Sequence, residues 1–321
     1  MRCRLFAAIA LFFLATGVST AASAWPDRSI KIIVPFVAGG SSDTLARILA
    51  EGLRDRLGQT LVVENRGGGG GVIGMSAVAG AASDGYTLLA GHIGTHAITP
   101  AITPSVGYDP ARTFVTIAVP ATSANVMVVR AESAINSLDD LIKAAKSKPF
   151  ALNYGSPGVG SPSHIAVVQL AALSGIEVTH IAYRGNAAAV TDMLNGTLDF
   201  MFGSPAEVLE LVRSGKFKAL ATTGESRSRA TPDIPAVAET VKGYEFRTWH
   251  VLSMKADTPP QIIEQVRKAA SEIVASEGFR KKLDDLGLDV GLANGAEAEK
   301  FVQAEIVRWA NFVKTNGIKA E

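Results

Sequence analysis

Two short stretches concentrate the residues that could do chemistry. The first is "VPFVAGGSSD", residues 34–43. An apolar run stops near Phe36 and an amphipathic run starts near Ser42, so the pattern predicts a strand, a tight loop and a helix. Gly39 and Gly40, after Ala38, let the backbone turn sharply and let a ligand approach. The first amides of a helix lack internal partners and carry the positive end of its dipole, which favours an anion. Ser41 and Ser42 add hydroxyl donors, and Asp43 is expected to cap the helix or brace the loop. A nucleotide-binding P-loop would need a lysine after its last glycine, and none is present. The second stretch, "NYGSPGVGSPSH" at residues 153–164, repeats the device with Ser156, Pro157, Gly158, Gly160, Ser161 and His164. Its glycine spacing does not follow the dinucleotide fingerprint. Two anion-accepting helix starts suit a small carboxylate held between them.

Other chemistries fit less well. Ser161 and His164 invite a serine hydrolase reading, but no Gly-x-Ser-x-Gly elbow surrounds the serine and no acid backs the histidine. His92 and His96 are four apart with Gly94 between them and no His-Glu-x-x-His pattern, so neither a metal nor any other cofactor is expected. Arg184, in "YRGNAA", could pair bidentately with a carboxylate. Tyr183 beside it could stack on a ligand or simply pack. The glycine run at residues 67–71 reads as an exposed flexible turn. The last helix, with Glu305 and Arg308, reads as a solvated face.

The elements that must position these loops alternate between strand and helix. "SIKIIVPF", "TLVVEN" and "YTLLAG" read as strands of a first unit, and "NVMVVR", "FALNYGS", "VTHIAY", "LDFMFG" and "KALATT" as strands of a second. Helical patterns lie between them, and three more close the chain at residues 259–275, 277–286 and 296–315. Ser137 with Asp140 three residues on has capping spacing, and Ser161, Pro162 and Gly175 mark a helix start and stop. The alternation predicts an α/β fold with mainly parallel sheets flanked by helices. Two extended crossings, near residues 125–130 and 249–255, divide it into a discontinuous first domain (25–124 plus 251–321) and a second (125–250). The cleft between them is the expected ligand site, because open α/β sheets bind at the carboxyl ends of their strands.

Residues 1–24 combine Arg2 and Arg4, an apolar run and "ASA", a secretory signal pattern. The only cysteine, Cys3, leaves with that segment, so the exported chain has no thiol and a periplasmic setting is expected. The 31 Lys+Arg and 30 Asp+Glu residues nearly cancel, which gives no footprint for nucleic acid.

Taken together in order, "WPDRSIKIIVPFVAGGSSDTLARILAEGLRDRLGQTLVVENRGGGGGVIGMSAVAGAASDGYTLLAG", "HAITPAI", "YGSPGVGSPSH", "YRGNAAAVTDMLNGTLDFMF" and "ATTGESR" resemble the substrate-binding proteins of tripartite tricarboxylate transporters, the Bug family. The resemblance spans essentially the whole exported chain. It implies a two-domain periplasmic binding-protein fold of the type II kind that closes on a small carboxylate as a monomer and hands it to membrane components of the transporter. A ligand-sensing role beside a membrane kinase is the alternative. It also implies that residues 36–43 and 156–164 grip the ligand, with Thr95, His96 and Gly203 lining the cleft. Gly203 stands where family members commonly have an aspartate that meets an amino group, which argues against an amino-acid ligand. His92, Thr248 and His250 also depart from the family pattern and are expected to tune specificity.

Overall fold

The computed structural model describes residues 25–103, 105–183, 185–228 and 231–318; the expected signal segment and Arg184 lie outside them. Its strands are β1 (Ile30–Val34), β2 (Leu61–Asn65), β3 (Thr87–His92), β4 (Phe114–Ser123), β5 (Val126–Arg130), β6 (Asn153–Ser156), β7 (Thr179–Ala182), β8 (Phe200–Gly203), β9 (Phe217–Thr222), β10 (Thr248–Lys255) and β11 (Asp289–Leu292). They form two sheets flanked by helices. One has the order β11-β4-β10-β3-β1-β2 and the other β7-β6-β8-β5-β9.

Both sheets are mixed, with four strands of each running in one direction. β1 pairs in parallel with β2 and β3, and β6 with β7 and β8. The strands that carry the chain between sheets run the other way: β10 is antiparallel to β3 and β4, and β5 to β8 and β9. That direction follows from the path. β4 ends at Ser123 opposite Thr248 of β10, and β5 begins at Val126 opposite both Gly203 and Thr222. Each crossing therefore leaves the carboxyl edge of one sheet and enters the same edge of the other, so the two edges confront each other. The second crossing ends at Thr248, since β10 pairs in the first sheet from its first residue.

The helix Ser41–Leu57 buries Leu45, Leu49, Leu53 and Leu57 on one face, the i, i+4 stripe expected of an amphipathic helix, and stops at Gly58 in the left-handed conformation. One core lies under it, between β1, β3 and the helix Pro260–Val274. A larger one fills the second sheet and continues into Ile93, Ile98 and Ile102 beside β3. The closing helix Gly295–Thr315 is not simply a solvated face. Glu305 is buried, and its Oε2 accepts from the indole N–H of Trp249 and of Trp309, each at 2.9 Å. One carboxylate thus pins this helix to the strand that enters the site.

The glycine run is packed, not merely exposed. A methyl group on Gly71 would lie 2.5 Å from Thr95 Cγ2, and the Gly70 carbonyl accepts from Thr99 Oγ1 at 3.3 Å. The run therefore seats the segment that follows β3.

Candidate functional site

The site grows from the carboxyl edge of the first sheet. After β1 the chain turns through residues 35–40, with Gly39 at φ +89°, a region that favours glycine. The first helical bond runs from the Thr44 N–H to the Gly40 carbonyl at 3.0 Å, so the amides of Ser41 to Asp43 precede it and have no intrahelical acceptor. Asp43 holds the loop from beneath. Its carboxylate accepts from the Gly39 N–H (3.0 Å), from Asn65 Nδ2 (3.0 Å) and from Arg47 (2.9 Å). Burial alone would raise its pKa, but Arg47, the Gly39 N–H and Asn65 outweigh burial and hold it below the usual carboxylate value. Asp43 is thus a brace whose oxygens are occupied. Arg47 is spent on Asp43 and Asn65, and Arg66 on Glu64. The basic side chains around the loop are already paired.

Two histidines complete this edge. His92 ends β3 and His250 lies directly opposite it in the β3–β10 register. Cross-strand partners project from the same face, and their rings stand edge-on at 6.3 Å. Phe36 stacks on His92 at 4.2 Å with the planes 15° apart. The Gly94 N–H donates to His92 Nδ1 at 2.8 Å, so the proton of the neutral ring sits on Nε2. Ser42 Oγ lies 3.4 Å from His250 Nδ1, while His250 Nε2 is buried without a partner among the described residues. Burial chiefly, aided in His92 by the neighbouring rings, lowers the pKa of His92 to about 3 and of His250 to about 4. Both are neutral at physiological pH.

Thr95 and His96 fall behind this wall instead of on it. Both are fully buried. Thr95 Oγ1 donates to the His92 carbonyl at 2.9 Å, and His96 uses one ring nitrogen on Thr95 (3.1 Å) and the other on Ser253 (3.2 Å). Their side chains set the backbone after β3, and the pairing of both His96 nitrogens leaves none for a metal.

The second glycine loop is built differently from the first. Ser156 Oγ accepts from the Gly158 N–H at 3.2 Å and meets His180 Nε2 at 2.7 Å. The Gly160 N–H donates to His164 Nδ1 at 3.2 Å, the Ser161 N–H to the Gly158 carbonyl, and the His164 N–H to Ser161 Oγ at 3.3 Å. Its glycine amides and hydroxyls are satisfied within the loop. Two equivalent anion cradles were expected; among the described residues the first keeps three successive helix-start amides open, Ser41 to Asp43, whereas the second has its Gly158, Gly160, Ser161 and His164 amides engaged. The same bonds do not assemble the serine–histidine pair that a hydrolase would need. Ser161 caps the helix Pro162–Ser174, and His164 offers it no ring nitrogen. Burial, with His180 beside it, lowers the His164 pKa to about 3.

Elsewhere on this edge, Gly203 packs so closely on Val208 Cγ1 that a side chain there would collide with it. Asn186 donates to both Glu207 oxygens at 2.7 Å, and among the described residues Asn186 Oδ1 and Ser204 Oγ are buried without a partner. Tyr183 spends its hydroxyl on Asp192 at 2.8 Å. The loops of the two sheets approach closely, since a methyl group on Gly94 would lie 3.8 Å from the Gly160 carbonyl.

This arrangement has relatives. The family model described as the tripartite tricarboxylate transporter family receptor matches residues 45–318. The chain belongs to that family. It is a periplasmic solute-binding receptor, and the family is one of substrate-binding proteins. The receptor is 34% identical to protein BugT of Bordetella pertussis over 98% of each chain. A solved R. palustris protein with adipate superposes with a TM-score of 0.86 at 32% identity, covering 92% of this receptor and 100% of that chain. MatC from Rhodopseudomonas palustris, with bound malate, gives 0.81 at 29% identity, covering 90% and 99%. Asn125, Asn186 and Ser204, which bear on the crossings and the second edge, carried no sequence signal beyond lying after strands.

Proposed function

We propose that this receptor captures a small organic acid between the confronting sheet edges and delivers it to the membrane components of a tripartite tricarboxylate transporter. In this reading residues 1–24 export the chain, and two bodies, 25–124 with 248–321 and 125–247, close by bending at the two crossings, the second ending at Thr248 because β10 pairs in the first sheet from there. The free amides of Ser41 to Asp43 receive one carboxylate. The observation that carries the reading is the buried, unpartnered His250 Nε2 beside that helix start. A buried polar group without a partner costs about 1–3 kcal/mol, so an acceptor from outside the chain is the natural partner. Adipate and malate, bound by two relatives, are the class of acid to try first.

The test is a thermal-shift series on the exported chain with dicarboxylates, hydroxy acids, aromatic acids and amino acids at matched ionic strength. A ligand at 100 times its dissociation constant adds about 2.7 kcal/mol of stability. A shift confined to one acid class supports the reading. No shift with any acid, from protein shown by mass spectrometry to carry no co-purified ligand, refutes it.

A further inference from the structure

We infer that His92 and His250 form a paired-imidazole subsite, each donating its Nε2–H to one carboxylate of the ligand, in place of an arginine or lysine. The inference rests on the carboxylate reading and adds the side chains that would discriminate among acids. Four observations converge. The two residues are direct cross-strand partners on one face of the sheet. The tautomer of His92 is fixed by the Gly94 N–H on Nδ1, which leaves a proton on Nε2. In His250 the Ser42 hydroxyl stands 3.4 Å from Nδ1 on the helix that carries the free amides, and a proton donated from that hydroxyl to Nδ1 leaves the ring proton on Nε2. Finally, His250 Nε2 is buried with nothing to bond, although the residue is only 2% exposed.

The charges around the pair leave no competing donor. From the helix Ser41–Leu57 the nearest ionisable groups are Asp43 and Arg47, bonded to each other. From the segment after β3 it is His96, committed to Thr95 and Ser253. Phe36 covers one face of His92 and fixes its plane. Neutral imidazoles point their donors without bringing a full charge into the wall. Such a subsite favours a carboxylate that arrives with planar access to two N–H groups about one ring-pair apart, and it has no counter-ion for an ammonium group.

The experiment measures calorimetric affinity for adipate and malate in four proteins: the unsubstituted chain, His250→Leu, His250→Gln and His92→Gln. A glutamine amide places an N–H near the position of Nε2. His250→Leu is expected to weaken binding about tenfold to a hundredfold, the worth of a hydrogen bond to a charged group. His250→Gln and His92→Gln should keep most of the affinity, and the melting temperatures of the free proteins should differ little. Equal affinity in His250→Leu and the unsubstituted chain overturns the subsite. So does an equal loss in Leu and Gln variants with a matching fall in melting temperature, which would make the ring structural. An unsubstituted protein that binds neither acid tells against the carboxylate reading itself, and is distinguished by needing no variant. Independently of any ligand, long-range 1H–15N spectra at pH 7 should show both rings as Nε2–H tautomers. A proton on Nδ1 of either ring overturns the inference.

Discussion

The buried histidines make the ligand-free receptor acid-labile in a window where carboxylates are silent. His92 and His164 have pKa values near 3, and His96 and His250 near 4, against an ordinary 6.5. A group with a lowered folded pKa is neutral in the folded chain while the unfolded chain already holds its proton. Its contribution is fully present above 6.5 and is lost as pH falls toward the folded value. Between pH 7 and pH 5 each histidine then removes about 2 kcal/mol, and four acting independently about 7 kcal/mol. That is comparable with the whole stability of a typical domain, about 5–15 kcal/mol. The lowered carboxylates, Asp43, Glu51, Glu64, Asp140 and Glu239, titrate in the unfolded chain around 3.8 and 4.5 and contribute little above about pH 5.5, so the upper part of the window reports the rings. The assay is urea unfolding of ligand-free protein at half-unit steps from pH 7.5 to 5. Proton uptake on unfolding should approach three to four near pH 5.5, and His164→Gln should remove about one of these. A stability that stays level between pH 7 and 5, or a slope untouched by His164→Gln, would refute the burial argument.

Three further outcomes follow from particular contacts. Gly40 has φ −83° and open space where a Cβ would stand, so Gly40→Val should leave the melting temperature nearly unchanged and weaken carboxylate binding by calorimetry. Gly158 sits at φ +128°, so Gly158→Val should instead cost about 1 kcal/mol or more of stability in urea. Glu305→Ala strands the indole N–H groups of Trp249 and Trp309, both 1% exposed, and should cost about 3 kcal/mol, whereas Glu305→Gln, which keeps one acceptor oxygen, should cost about 1. Ser161→Ala removes the cap on the His164 N–H and should cost about 1 kcal/mol in denaturant unfolding; an ester-hydrolysing activity lost in this variant would revive the enzyme reading.

The first glycine loop was legible because its signals are local: an apolar run, two glycines, two serines and a helix stripe. So were the Ser161 and Gly175 caps of the helix Pro162–Ser174. β4 and β11 were not. β4 carries Pro120 in its middle, which reads as a break, yet the proline falls where the pairing with β10 slips between His250 and Leu252. Its antiparallel partner is more than a hundred residues away, and no local pattern announces such a pairing. The same distance hid Glu305. On a helical wheel it looks like a surface charge, and only the tertiary arrival of Trp249 from β10 makes it a buried acceptor.

The unequal loops carry the largest consequence for the site. Sequence shows two glycine-rich strand-to-helix turns of similar composition, and composition cannot say where their amides go. In the second turn three polar side chains return to the loop's own backbone: Ser156 to Gly158, His164 to Gly160 and Ser161 to His164. In the first, Asp43 accepts from the Gly39 N–H, while Thr44 and Asn65 donate to the Gly40 and Phe36 carbonyls, so these side chains leave the following amides open. The difference lies in the position of the acceptor relative to the helix start, after it in one case and around it in the other. A ligand held by both loops therefore meets an electrostatic receptor on one side and a rigid, already satisfied wall on the other. The anionic end should be read by the first sheet, and the remainder of the molecule by shape and by the unpartnered Asn186 Oδ1 and Ser204 Oγ on the second.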